Sequence, residues 1–157
     1  MAEDLVARGK DICYAAAAML VNEDGDYLLQ QRDDTPGIWY PEMLCFFGGR
    51  LDAGEDTETA LRRELMEELE FIPRNLTYFS FICYDTARFG PGIGCRYVYE
   101  SQITKDDIAR MTQHEGAGMK LLSPKDVLNL EYPIAPVDLQ MLYVHLMCRG
   151  LVPQQAD

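Results

Sequence analysis

The sequence predicts an α+β protein, rich in strands, with one central helix and one C-terminal helix in a layered, sandwich-like arrangement. Three features carry that expectation. Ile12–Val21 is an unbroken apolar run of strand length. Thr57–Leu69 places Ala60, Leu61, Leu65 and Leu69 at helical spacing. The remaining strand-like segments do not alternate with helices as a βα repeat would.

In chain order, Ile12–Val21 is closed by the turn-rich Asn22–Asp26 and followed by Tyr27–Arg32, which together predict a hairpin. Asp33–Pro41 holds two prolines and a glycine and continues neither element, so it reads as a loop near which a ligand can dock. Thr57–Leu69 opens on acidic and Thr residues, as a helix N-terminus favours. Leu76–Tyr84 and Arg96–Ile103 read as strands separated by a flexible Arg88–Gly94, with Met119–Leu122 a short further strand. Pro124–Leu130 and Pro136–Cys148 read as helices, the second amphipathic. No internal repeat or low-complexity segment interrupts the 157 residues, so one domain over 1–157 is expected.

Composition narrows the function classes. With 48% hydrophobic and 25% charged residues the chain is of ordinary globular type, and no run approaches the ~20 apolar residues of a membrane span. The first residues mix both charge signs and do not form a signal peptide, so a cytoplasmic location is expected. A net charge of −12 argues against general nucleic-acid binding. It leaves room for one small phosphorylated ligand at a site that gathers cations. The five cysteines are odd in number and widely spaced, which reads as free thiols.

The chemistry concentrates around the central helix. Glu64, Glu67 and Glu68 stand at i, i+3 and i+4, so three carboxylates share one helical face. Alone, such a triplet is commonly a solvated acidic face. Here it follows Phe46–Glu55, a stretch with three glycines that brings backbone close to a ligand. Hard cations such as Mg²⁺ take oxygen ligands and share their shell with substrate phosphates, a need that several glutamates and a carbonyl meet.

Gly49, Glu55, Arg63, Glu64, Leu65, Glu67, Glu68 and Phe71 follow the pattern G-x5-E-x7-R-E-U-x-E-E-x-G-U, with U apolar, at every position but one. Six fixed identities at fixed offsets arise by chance about once in 10⁷ starting points at average composition. The segment Gly49–Phe71 therefore resembles the box of the Nudix hydrolase family. The resemblance implies a mixed β-sheet core between helices, an α/β/α sandwich. It also implies metal-dependent hydrolysis of a diphosphate linkage in a nucleoside diphosphate joined to another group.

Carried onto this chain, the resemblance makes Glu64, Glu67, Glu68 and the Gly48 carbonyl the metal ligands, with Mg²⁺ as cofactor and Mn²⁺ a substitute. It gives Arg63 the task of orienting a glutamate, and Glu55 that of tying loop to helix or touching the metal through water. Glu115, flanked by glycines in a late loop, is the expected general base or extra ligand. Arg32 is the candidate phosphate contact and Trp39 the candidate stacking residue. His114 and His145 read as a bystander and a structural residue. Substrate choice is expected to lie in Arg32–Leu44 and Ala87–Gly94, and the apolar C-terminal helix leaves a homodimer open.

The pattern breaks at Glu70, where the family has glycine in a left-handed helix cap. A non-glycine residue there costs about 1 kcal/mol, so Glu70→Gly is expected to raise the melting temperature without changing turnover. Phe46-Phe47-Gly48-Gly49 also lacks the usual proline before the box. Two rival readings remain: a non-catalytic nucleotide-binding regulatory domain, which need not keep all three glutamates, and an isoprenoid-diphosphate isomerase using Cys45.

Overall fold

The computed structural model describes residues 11–86 and 92–152. Its elements are β1 (Ile12–Val21), β2 (Tyr27–Gln31), β3 (Leu44–Cys45), β4 (Phe47–Arg50), α1 (Thr57–Leu69), β5 (Thr77–Asp85), β6 (Ile93–Gln102), α2 (Lys105–Arg110), β7 (Gly118–Leu122), α3 (Pro124–Leu128) and α4 (Pro136–Cys148). They form a mixed sheet in the order β3-β2-β1-β6-β5, with β4 added on β1 and β7 on β2. Among these strands β1 and β6 pair in parallel and the other pairings are antiparallel.

β1 is apolar throughout because both of its faces are covered. Ala17, Met19 and Val21 join Tyr27, Leu29, Phe46, Leu142 and Leu146 beneath α4, while Ala16, Ala18 and Leu20 join Leu28, Phe47, Leu61, Leu65 and Leu69 beneath α1. Period-two alternation thus turns one strand into the divider between two cores. α1 starts where the sequence indicates: Asp56 accepts from the Glu58 and Thr59 amides. His145 is buried in the α4-side core, 2.8 Å from the Tyr27 hydroxyl and 3.3 Å from Glu100, so its role there is packing.

Several sequence expectations change. Leu44–Cys45 and Phe47–Arg50 are strands, and Lys105–Arg110 is a short helix closed by a Thr104–Asp107 capping box. Ile93 and Gly94, expected in a flexible link, begin β6, while residues 88–91 of that link, and residue 87 of the stretch expected to set substrate choice, lie outside the described residues. Among the described residues no helix is long and apolar enough to cross a membrane.

The free-thiol expectation is corrected at one pair. Cys83 and Cys95 face each other across β5 and β6 and form a disulfide, leaving Cys13, Cys45 and Cys148 free. Register, which sequence spacing does not reveal, creates this pair. Cytosolic reductants keep most thiols reduced, so the disulfide and the expected compartment pull in opposite directions. Protein denatured without reductant is expected to show the three free thiols, and all five after reduction. Five thiols in the unreduced sample would contradict the pairing.

Candidate active site

The start of β4 brings backbone against β1 and α1 so closely that side chains are excluded. At Gly48, φ is +124° and a Cβ would lie 2.3 Å from the Ala16 carbonyl oxygen; at Gly49 one would lie 2.4 Å from the Glu64 carboxyl carbon. The two glycines therefore let the α1 carboxylates reach the strand. Arg63 locks the arrangement. Its Nε and Nη2 donate to both oxygens of Glu55 at 3.1 and 3.0 Å, its Nη1 to Glu64 at 2.9 Å, and its Nη2 also to the Arg50 carbonyl at 3.0 Å. One planar fork thus joins loop, strand and helix. The Glu55 and Glu64 hydrogen bonds raise the Arg63 pKa further, so it stays charged.

The three helix glutamates differ in setting. Glu67 is largely exposed, with its side chain 61% accessible. Glu64 is half-buried, and burial, together with repulsion from Glu67 and Glu115, raises its pKa against the opposing pull of Arg63. Glu68 is buried and accepts from the Gly48 amide at 2.8 Å and from Gln30 Nε2 at 3.3 Å. Burial, then repulsion from Glu115 and Glu64, pushes its carboxyl up to about 8 even though the Gly48 amide works the other way.

Glu115 reaches this cluster from the loop between α2 and β7. Its carbonyl accepts from Gln30 Nε2 at 3.2 Å and from Gln113 Nε2 at 2.7 Å, and its carboxylate repels Glu64 and Glu68. Gln30 therefore ties Glu68 to the Glu115 loop.

Carboxylates crowded into partial burial, of which Glu64 and Glu67 pair with Arg63, are the setting a divalent cation relieves. Among the described residues no three His, Cys, Asp or Glu side chains form a cage that holds an ion by itself. Glu64, Glu67, Glu68 and the Gly48 carbonyl offer oxygen donors alone, the kind that hard divalent cations take.

Next to Gly48 and Gly49 opens a cavity of about 410 Å³, lined by Arg32, Trp39, Tyr40, Tyr84, Arg96 and Asp138 among others. The volume suits a nucleoside-sized group. Arg96 pairs with Asp138, whose other oxygen accepts from the Phe46 amide at 3.3 Å. Asp138 is 1% exposed, and its burial raises the carboxyl pKa against the pull of Arg96. Arg32 contributes a second guanidinium whose buried Nε has no hydrogen-bond partner.

A model of the NUDIX domain family matches residues 12–143. The chain belongs to the NUDIX domain family. Over 66 residues it is 42% identical to the 8-oxo-dGTP diphosphatase of Haemophilus influenzae, covering 42% of this chain and 47% of that one. The chain thus matches about half the length of that relative. Over 139 residues it is 27% identical to the CTP pyrophosphohydrolase of Escherichia coli K12, covering 87% of this chain and 93% of that one. The solution structure of the E. coli ORF135 protein superposes with a TM-score of 0.71 at 24% identity, covering 94% of this chain and 98% of that one. That likeness carries the Nudix fold.

Within the Nudix box, Glu70 takes the left-handed cap conformation of the family's glycine, with φ 50° and ψ 34°. Of the residues singled out in the sequence, Gly48, Glu55, Arg63, Glu64, Glu68 and Glu115 gather at one place, with Glu67 on the exposed flank. Arg32 and Trp39 line the neighbouring cavity instead. Sequence reading missed Gln30, Arg96 and Asp138. Gln30 looked like an ordinary strand residue. Arg96 and Asp138 are 42 positions apart, and only the helix-on-sheet packing of this Nudix fold joins them. Cys45 is buried and its thiol is pushed up to about 12 by burial and by Asp138, so it stays protonated.

Proposed function

We propose that this Nudix hydrolase cuts the diphosphate linkage of a nucleoside triphosphate or related nucleoside diphosphate derivative in a Mg²⁺-dependent reaction. The observation that carries the reading is the convergence of Glu64, Glu68 and Glu115 beside Gly48 and Gly49, within reach of a nucleoside-sized cavity. Glu64, Glu67, Glu68 and the Gly48 carbonyl would hold the ion. Bound there, Mg²⁺ supplies Lewis-acid polarisation of phosphate oxygens and makes water a better nucleophile.

The protein groups do the rest. Glu115, carried on the loop that Gln30 ties to Glu68, accepts the proton of the attacking water. Arg63 holds Glu64 and Glu55, so helix and loop keep their spacing while charge shifts on phosphate. Gln30 holds Glu68 and the Glu115 loop together. In the cavity, Arg32 balances phosphate charge. The Arg96–Asp138 pair offers a donor and an acceptor side by side for the edge of a base, and Trp39 and Tyr84 supply apolar wall. The 8-oxo-dGTP diphosphatase and CTP pyrophosphohydrolase relatives support a triphosphate substrate, and the free nucleotides concerned fit a cytoplasmic location.

A panel of CTP, dCTP, dGTP, 8-oxo-dGTP and ADP-ribose, each incubated with Mg²⁺ or with EDTA, tests the reading. At least one triphosphate is expected to be cleaved with Mg²⁺ and spared with EDTA. Metal-dependent binding of these nucleotides with no cleavage of any would favour a binding module instead.

A further inference from the structure

We infer that Glu70, standing where the family has glycine, is a positioning residue for Glu115, acting through His114. This rests on the reading of Glu115 as the general base. Glu70 Oε1 lies 2.8 Å from His114 Nε2, linking the end of α1 to the residue immediately before Glu115. The main chain is hooked to the same helix end: the His114 amide donates to the Glu68 carbonyl at 2.8 Å and the Thr112 amide to the Leu69 carbonyl at 3.0 Å.

On its other side the loop is pinned to β2. Gln30 holds the Glu115 carbonyl, the Ala117 amide donates to the Gln31 carbonyl at 2.8 Å, and Gly116 sits at φ +86° where a Cβ would lie 2.6 Å from that same oxygen. Glu115 is thus suspended between two anchors, and Glu70 supplies the one side-chain grip on the helix side that the structure records. The Glu70 and His114 side chains are both about half exposed, at 52% and 47%, so the pair contributes little to the stability of the fold. Glycine would sit in the left-handed cap without strain. A strained residue with a weak pair makes sense where the pair's value lies in where it holds Glu115.

A general base works only within hydrogen-bond reach of the proton it takes, and a displacement of about 1 Å costs on the order of 10²-fold in rate. The positioning role keeps the expected rise in melting temperature for Glu70→Gly and replaces the expected unchanged turnover with a loss.

The test compares wild type, Glu70→Gly, Glu70→Gln, His114→Ala and Glu115→Gln, using whichever of CTP and 8-oxo-dGTP is cut faster at saturating Mg²⁺. Glu70→Gly is expected to lower kcat by about 10- to 100-fold with KM unchanged and no loss of melting temperature. Hydrogen exchange at the Thr112 and His114 amides should quicken in parallel. Glu70→Gln keeps an acceptor for His114 and should retain most of kcat. His114→Ala should match Glu70→Gly, and the double variant should fall no further. Added to Glu115→Gln, Glu70→Gly should have no effect. If Glu115→Gln is slow while Glu70→Gly turns over like wild type, the base reading survives and the positioning role is overturned. If Glu115→Gln itself turns over like wild type, the base reading fails and the positioning role goes with it.

Discussion

Glu68→Gln is expected to lower turnover by about 10³-fold while making the metal-free protein more heat-stable at pH 8. The rate loss follows from the ligand role proposed for Glu68: Lewis-acid stabilisation is worth several kcal/mol, and about 4 kcal/mol is a factor near 10³. The stability gain follows from linkage. The Glu68 carboxyl is raised from an ordinary 4.5 to about 8 in the folded protein. Between those values the unfolded chain has released the proton and the folded chain has kept it. The protonated carboxyl's contribution is therefore complete below the unfolded pKa and lost as pH rises through about 8. Metal-free wild type should lose melting temperature across that window, the Gln variant should lose less, and Mg²⁺ should restore wild type alone. Parallel melting curves for the two proteins in EDTA from pH 5 to 8 would contradict this.

Arg96→Met is expected to be the most destabilising single change in the cavity. Asp138 is buried, and without Arg96 its carboxylate keeps only the Phe46 amide and the more distant Arg32 charge. Breaking a buried ion pair from one side costs about 3–5 kcal/mol, which for a chain of this size lowers the melting temperature by roughly 10 °C. The cost should be smaller at pH 5 than at pH 8. Asp138 has a raised pKa, and losing Arg96 raises it further, so at low pH the carboxyl neutralises itself. Removing both charges as Arg96→Met with Asp138→Leu should recover most of the stability, since an apolar pair of similar volume is often no worse. It should not recover KM, because the donor and acceptor proposed for the base edge are gone. Differential scanning at the two pH values, with KM for the best triphosphate, measures both halves.

Much of this architecture can be read in the residues. β1, α1 and α4 have the bounds their apolar patterns indicate, because an unbroken run buried on both faces and a 3.6-residue repeat are strong signals over ten or more positions. β3 and β4 were illegible for the converse reason. They are two and four residues long, and β4 contains the Gly48-Gly49 pair that normally marks a loop. α2 was missed although its Thr104-x-x-Asp107 capping box is written in the sequence. The glutamate face follows from spacing on one helix, and the Arg63 contact with a glutamate from the resemblance to the box. Gln30, the Arg96–Asp138 pair and the Cys83–Cys95 disulfide depend on which strands become neighbours and in what register, and local spacing does not encode that.

Glu70 illustrates the difference. Its left-handed cap was legible from the box, but its contact with His114 was not, because two segments 44 positions apart meet only after β7 has paired with β2.

The measurement closest to the central claim is product analysis of the preferred triphosphate with wild type and Glu67→Gln, each in Mg²⁺ and in EDTA. Glu67 is the most exposed of the three helix glutamates, so its amide should leave the fold intact and report on the site alone. Nucleoside monophosphate and pyrophosphate should appear with wild type in Mg²⁺ and fall by orders of magnitude with EDTA or with Glu67→Gln. Equal product formation in all four samples would show that the glutamate face of α1 does not carry the reaction.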